Sequence, residues 1–166
     1  AGGTEDDWVE LYNPNGVAVD LSDWSIQKTS SSGTVAKKNF ESGSVIQPHG
    51  YFLIARSTAN ATLLGLADMT SSVLQLSDEN TVYLVSDHEE IVDGTESTIV
   101  DKVGFGVAPF SFETSPTITP PDGKSIERKT IGGDTNSNLA DFRVSDNPTP
   151  RASFMGAGIQ HATNYL

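Results

Sequence analysis

The stretch Trp8-Val9-Glu10-Leu11-Tyr12-Asn13-Pro14 decides the fold of this chain. Apolar and polar side chains alternate along its first five residues, which is typical of a half-buried β-strand. Asn13-Pro14-Asn15-Gly16 then ends the strand, because Asn, Pro and Gly are the residues that turns require. Short runs rich in Val, Ile, Tyr and Phe, each followed by turn residues, recur along the chain, and helical periodicity is scarce. We therefore predict an all-β protein rather than a βαβ architecture.

Further strands are predicted on both sides of this stretch. Residues 51–55 form an uninterrupted apolar run, which predicts a central strand buried on both faces. Residues 73–76 and 81–85 flank the turn at 77–80 and are predicted to pair as a hairpin. The Ser/Thr/Gly tract at 29–34 is predicted to be a flexible surface loop. In all, we expect a β-sandwich of about nine or ten short strands.

Alternation also predicts which side chains meet inside the sandwich. Nine residues are expected to face a common core: Leu11, Trp24, Ile26, Phe52, Ile54, Val82, Leu84, Ile126 and Phe142.

Composition excludes several classes of function. Acidic residues outnumber basic residues 22 to 10, which gives a net charge of −12 and argues against nucleic-acid binding and docking on anionic lipid. The 166 residues contain no cysteine, which excludes disulfides, thiolate metal sites and cysteine nucleophiles. No apolar run approaches the roughly 20 residues of a membrane helix. The start Ala1-Gly2-Gly3 is typical of a cut end, so a mature protein or an excised domain is expected.

Five segments in order resemble the lamin tail domain in its bacterial form. The first two are the opening stretch and Val19-Asp20-Leu21-Ser22-Asp23-Trp24-Ser25-Ile26. The third, Ile46-Gln47-Pro48-His49-Gly50-Tyr51-Phe52-Leu53-Ile54, is similar to the family's I-x-P-x-G-x-x-L-I turn and strand. The last two are residues 76–85 and the closing pair Gly123-Lys124-Ser125-Ile126-Glu127-Arg128 and Ala140-Asp141-Phe142.

The resemblance covers residues 5 to 150 and implies an immunoglobulin-like sandwich without catalytic activity. It also implies a module of exported bacterial proteins. Two departures stand out. The family's opening apolar strand is absent before Ala1, and residues 154–166 extend past the expected end. We therefore divide the chain into a lamin-tail-like sandwich at 1–153 and a C-terminal tail or linker at 154–166. The unpaired sheet edge favours pairing with this tail or with a neighbouring copy, so a monomer and an edge-mediated homodimer both stay open.

The sharpest metal pattern lies in the loop before the last strand. Asp134, Asn136, Asn138 and Asp141 offer oxygen ligands at nearly alternate positions, and such ligands suit calcium. The central Gly and terminal Glu of an EF-hand are missing. The other interpretation is an Asx-rich surface loop whose side chains bond its own backbone. No cofactor is required, and calcium is the metal that we expect if one binds.

Three other residues are candidates for a structural, binding or chemical role. Trp24 is predicted to be a core anchor. For Trp8, core packing and ligand binding both stay open, because its strand lies near the missing edge and an exposed tryptophan can stack on a sugar. Glu10 is a solvated charge, a buried partner of Arg128, or a catalytic acid, and a structural hydrogen-bond partner is favoured. The histidines and glycines match no metal-ligand pattern, nucleophile elbow or phosphate loop, so no catalytic residues are assigned.

The sequence therefore favours a non-catalytic interaction or structural module of an exported bacterial protein, acting in tethering, adhesion or partner docking. Its expected location is extracellular or on the cell surface, and its expected partner is a protein or a carbohydrate. The alternative is a calcium-assisted carbohydrate-binding module. A small secreted hydrolase is the third interpretation.

Overall fold

A computed structural model describes residues 5–151. This part of the chain contains eleven strands and two short helices. The strands are β1 (Trp8–Tyr12), β2 (Val19–Asp20), β3 (Ser25–Ser30), β4 (Val35–Asn39), β5 (Val45–Ile46), β6 (Tyr51–Arg56), β7 (Met69–Ser71), β8 (Asn80–Val85), β9 (Ile99–Phe105), β10 (Ser125–Arg128) and β11 (Phe142–Ser145). The helices are α1 (Ala61–Leu66) and α2 (Asn138–Asp141).

The strands form two main sheets and two ribbons. One sheet is antiparallel and has the order β4-β3-β8-β9. The other has the order β1-β6-β7, with β1 antiparallel and β7 parallel to β6. The two-stranded ribbons β2–β5 and β10–β11 complete the described structure. The all-β fold predicted from the sequence is thus confirmed.

One apolar core lies between the two sheets. Eight of the nine predicted core residues are buried in it: Leu11, Ile26, Phe52, Ile54, Val82, Leu84, Ile126 and Phe142. The ninth, Trp24, is only partly buried and packs against the edge of this cluster. Residues of one face of β1, Val9 and Leu11, point into the core, as the alternation requires. The predicted central strand is β6, which is paired on both sides and buried over its four middle residues.

The turn after β1 is held by a single buried side chain. The Asn13 amide donates to the carbonyl oxygens of Val17 at 2.7 Å and Ile46 at 3.2 Å. Its Oδ1 accepts the N–H of Asn15 at 2.9 Å. Asparagine bonds local backbone in this way, which explains why the first strand stops here.

The hairpin predicted for residues 73–76 and 81–85 is wrong. Residues 73–76 form no strand, and β8 pairs with β3 and β9 instead. Leu74 is fully buried, so its run is apolar because of core packing and not because of strand pairing. The connection through α1 brings β7 back parallel to β6, since a parallel pair needs a crossover.

The flexible loop predicted at 29–34 is also corrected. Residues 29 and 30 belong to β3, and the tract forms the turn of the β3–β4 hairpin, with Gly33 at a φ of 85°. Strand β4, with the sequence Val-Ala-Lys-Lys-Asn, was not predicted, because it is polar and lies at the edge of its sheet.

Two further expectations concern the ends and the membrane. The predicted boundary at 153/154 and the tail at 154–166 lie outside the described residues. Within residues 5–151, neither helix is long and apolar enough to cross a membrane.

Candidate interaction site

Strands β1 and β10 border the same open space without pairing. Among the described strands, β1 is hydrogen-bonded to β6 alone and β10 to β11 alone. Val9 of β1 and Ile126 of β10 nevertheless line one groove together, and Leu11 and Arg128 line a second, smaller cavity. An edge strand presents unpaired backbone groups that can accept another strand. We call the larger space the edge groove.

The edge groove reaches the core of the sandwich. Its volume is about 900 Å³, within the usual size of ligand sites. The deep part is lined by apolar side chains of both halves of the fold: Val9, Val82, Val103, Phe105, Ile126 and Phe142. The smaller cavity beside Leu11 and Arg128 has a volume of about 230 Å³. Space of this size beside core residues is unusual, because protein interiors are close-packed.

Helix α1 forms one wall of the edge groove. The Oδ1 atom of Asn60 accepts the N–H of Leu63 at 3.0 Å, which caps the first turn of the helix. Leu63 is buried against β6, and Leu66 faces the groove with 42% of its surface exposed. The helix thus places an apolar side chain on the groove wall in contact with solvent.

The rim of the edge groove is acidic. Four aspartates and one lysine line it: Asp6, Asp7, Asp78, Asp122 and Lys124. The lysine forms an ion pair with Asp146 at 2.6 Å. The groove therefore combines an apolar floor with a negatively charged rim.

Asp7 is the rim carboxylate that is most closely bound to the fold. Burial raises its pKa above the usual range, although the Leu76 N–H and the Arg56 guanidinium favour the charged form. The Leu76 N–H donates to Oδ2 at 3.1 Å, and Arg56 Nη1 lies 3.5 Å from the same oxygen. Asp7 thus joins the start of β1 to the segment that follows β7.

Trp8 lies at the border between the groove and a second apolar cluster. Its side chain packs with Leu53, Ala55, Ala59 and Leu63 and is 9% exposed. It also lines the edge groove. Sugar stacking requires a flat, exposed indole ring, and this side chain is largely buried. The ligand-binding role of Trp8 stays a prediction.

Glu10 is fully buried, and its partner is Arg151 rather than Arg128. Its Oε1 accepts the backbone N–H of Arg151 at 3.1 Å, while Oε2 is buried without a partner in the described residues. Burial raises the pKa of Glu10 to about 7. The Arg151 side chain pairs with Asp68 and donates to the Tyr51 carbonyl at 3.5 Å. These contacts hold the end of the described chain against β1 and β6, which rules out the solvated-charge interpretation.

The four predicted calcium ligands do not act as one set. Asp141 accepts the N–H and the hydroxyl of Thr135 at 2.8 and 2.7 Å, and these bonds lower its pKa despite its burial. The Asp134 Oδ1 accepts the N–H of Asn136 at 2.8 Å, which is the Asx turn of the alternative interpretation.

Asn138, the remaining residue of the set, is fully buried and bonds β9. It accepts the Gly104 N–H at 2.9 Å and donates to the Lys102 carbonyl at 2.9 Å and to Glu113 at 3.0 Å. Three of the four side chains, those of Asp134, Asn138 and Asp141, are therefore already bonded within the protein. Calcium binding in this loop stays a prediction.

The guanidinium of Arg128 is the positive charge that Asp134 and Asp141 share with a third carboxylate, Asp101. Its Nη2 lies 2.6 Å from Asp101, and its Nη1 lies 3.6 Å from Asp134 and 3.4 Å from Asp141. Nη1 also donates to the Gly133 carbonyl at 3.0 Å, and the group stacks over the Phe142 ring at 4.8 Å. Arg128 is thus a buried cation surrounded by acceptors.

A different carboxylate group gathers beside this arginine. One oxygen each of Asp101, Glu113 and Asp134 lie within 4.8 Å of one another. Burial raises the pKa of Asp101 to about 6, opposed by Arg128. Burial, together with the charges of Asp101 and Asp134, raises the pKa of Glu113 to about 7. Only Asp134 belongs both to this group and to the predicted calcium set.

Sequence reasoning missed Asp101, Glu113 and Arg128 as one cluster. They lie on β9, on the following long loop and on β10, and no local spacing connects them. One signal was available: Arg128 lies two residues after the predicted core residue Ile126 and so on the same face of the strand, and a buried charge needs partners.

Comparison with known proteins agrees with this architecture. A model of the family described as Lamin Tail Domain matches residues 1–105, which is more than half of the chain. No curated protein matches the chain. The domains of this family are immunoglobulin-like β-sandwiches that serve as non-catalytic interaction or structural modules. The chain therefore belongs to the lamin tail domain family, as the motifs of the sequence predicted.

Proposed function

We propose that this chain is a docking module that holds a protein partner at the edge groove, within an exported or cell-surface protein. The observation that carries the proposal is the pair of unjoined strand edges, β1 and β10, on the two sides of one groove that reaches the core. A strand edge beside an apolar groove is a common way to bind a polypeptide, because the backbone supplies affinity and the groove selects side chains.

The groove supports docking better than it supports catalysis. Its deep lining is apolar, whereas acid–base chemistry needs titratable groups facing the substrate. The carboxyl groups with strongly raised pKa values, Glu10, Asp101 and Glu113, do not line it. Asp101 contacts the side chain of Arg128, Glu113 contacts the side chain of Asn138, and Glu10 accepts the backbone N–H of Arg151 instead.

Peptide selection tests the proposal. A random peptide library displayed on phage is selected on the immobilised full chain, and enriched peptides are then measured by fluorescence anisotropy. The Leu66→Glu variant places a charge on the groove wall without touching the core, since this side chain is 42% exposed. The matched control is Val92→Glu, which changes a side chain that is 80% exposed and lies outside the groove lining.

We expect enriched peptides that bind the parent chain and Val92→Glu equally and bind Leu66→Glu at least about tenfold more weakly, as loss of one interface anchor typically gives. Peptides that bind all three proteins equally would contradict docking at the edge groove. The exported location is tested separately, by detecting the parent protein in the culture medium or on intact cells with an antibody against this domain.

A further inference from the structure

We propose that the edge groove binds an extended segment of a partner protein whose apolar side chains enter the groove and whose ends carry Lys or Arg. This inference rests on the proposed docking function and adds the chemistry of the partner. The segment forms a β-strand along the free edge of β1, between β1 and β10.

The backbone arrangement supports an extended segment. In the described residues β1 has one ladder, to β6, and its other edge has no strand partner. Val9 of β1 and Ile126 of β10 both line the groove. A strand inserted here would satisfy backbone N–H and C=O groups of β1, and successive side chains would point alternately inward and outward. A helix would leave these edge groups unpaired.

The groove floor selects for apolar side chains on the inward face. Val82, Val103, Phe105 and Phe142 line its deep part, and they belong to the main core. These four side chains are only 3–5% exposed, so an inward-pointing apolar side chain would be stabilised by close packing against them more than by removal of their area from water. Branched residues such as Val suit this position, because they favour strands and fill narrow apolar space.

The charge of the rim selects for basic ends. Asp78 and Asp122 are exposed at the groove and supply the charge of the rim, whereas Asp7 is already paired with Arg56. The rim lysine is already paired with Asp146. With a net charge of −12 on the whole chain, an acidic segment would be repelled and a basic one attracted.

Titration calorimetry with three synthetic peptides and the full chain tests the inference. The first probe is acetyl-Lys-Val-Thr-Val-Thr-Val-Lys-amide, which has Lys at both ends so that either strand direction can be used. The second replaces both Lys by Glu. The third keeps Lys but carries N-methyl groups on both Thr nitrogens and on the nitrogen of the Val between them, which removes hydrogen-bond donors from both edges of the peptide.

We expect the first probe to bind, and we expect its affinity to fall as the salt concentration is raised, because screening reduces the attraction between exposed charges. The Glu probe should bind roughly tenfold more weakly. The N-methylated probe should bind at least about tenfold more weakly than the first probe, since each lost backbone hydrogen bond lowers the affinity. Equal affinity of the Lys and Glu probes, or full retention of binding after N-methylation, would overturn the inference.

Variants of the chain supply the matched test of the rim. The double variant Asp78→Lys, Asp122→Lys should bind the Lys probe more weakly than the parent chain does and the Glu probe more tightly. Asp23→Lys combined with Glu90→Lys makes the same change in net charge at exposed positions outside the groove and should change both affinities by less than about twofold. If both double variants act alike, the rim does not recognise the probe and the inference fails.

Other occupants are distinguished by photocrosslinking from position 66. Benzoylphenylalanine in place of Leu66 should crosslink the Lys probe. A crosslink to residues 152–166 of the same chain would make the chain's own tail the occupant, and a product of doubled mass would make it a second copy. Either result, with no crosslink to the probe, overturns the partner segment. If library peptides bind at the groove but the Lys probe does not, only the partner chemistry is wrong and the docking function stands.

Discussion

Arg128 and Asp101 form a buried ion pair, with 2.6 Å between Nη2 and Oδ2. The pair joins the β10–β11 ribbon to β9 of the four-stranded sheet. The side chains are 3% and 12% exposed, so neither charge is well solvated. Because β10 pairs with no strand but β11 within residues 5–151, this contact and the packing of Phe142 hold the ribbon against the sandwich.

Substitution of Arg128 by Met should destabilise the domain strongly. It leaves Asp101, Asp134 and Asp141 without their shared cation, and breaking a buried pair from one side costs about 3–5 kcal/mol. The measurement is the free energy of unfolding from urea denaturation. Lys124→Met is the matched control, because the Lys124–Asp146 pair is exposed and should contribute less than about 1 kcal/mol. Equal effects of the two substitutions would show that the Arg128 network does not stabilise the fold.

Stability should fall as the pH rises from about 4.5 to above 7, in part because of Glu10. Its pKa is raised from 4.5 to about 7, so the folded state binds the proton more tightly than the unfolded state does. The stabilisation from this proton is fully present below the unfolded pKa and is lost as the pH passes through the folded pKa. The ionised, fully buried side chain then costs on the order of 3 kcal/mol.

Glu10→Gln should remove the part of this dependence that comes from Glu10. We expect the variant to gain stability at pH 8 and to change little at pH 4, as measured by urea denaturation at both values. Glu41→Gln, at a side chain that is 76% exposed, is the control and should behave like the parent chain. A variant that is destabilised equally at both pH values would mean that Glu10 acts through hydrogen bonding and not through its ionisation.

Calcium binding in the loop from Asp134 to Asp141 should be no tighter than millimolar. Asn138 and Asp141 would have to exchange their bonds to β9 and Thr135 for the ion, and Arg128 already faces Asp134. We expect the melting temperature to rise only at millimolar calcium, as linkage to a weak site requires. Asp134→Asn should abolish the rise, whereas Asp87→Asn, in another acidic turn, should not. A parent chain that shows no rise at any concentration would remove the calcium hypothesis.

Removal of residues 154–166 tests the edge-pairing prediction made from the sequence. These residues lie outside the described structure, and the described chain ends at Arg151, which is held against Glu10. If the tail pairs with a sheet edge of its own chain, the shortened chain should be less stable. If it pairs with a second copy, the shortened chain should have the mass of a monomer and not of a dimer. Light scattering and thermal melting at the same protein concentration measure both. Unchanged mass and melting temperature would show that the tail does not cover an edge.

Much of the fold could be read from local patterns. The alternation in residues 8–12 and the uninterrupted run at 51–55 predicted β1 and β6. The prediction that β1 is half-buried is wrong, because Trp8 and Glu10 on its second face are buried as well. The ordered turn motifs identified the family. The same reasoning failed for Leu74, because an apolar run records burial and not backbone pairing.

The candidate site depended on contacts that no local pattern contains. Sequence alone determined that the chain is an acidic all-β sandwich with a buried face on each main strand, since those properties follow from composition and from side-chain period. The tertiary structure decided that Arg128 meets Asp101 across 27 positions, that Glu10 meets Arg151 across 141, and that β1 and β10 leave a groove between them. The physical reason is that pairing between distant strands is set by how whole sheets pack, and this fixes which charges and which edges face one another.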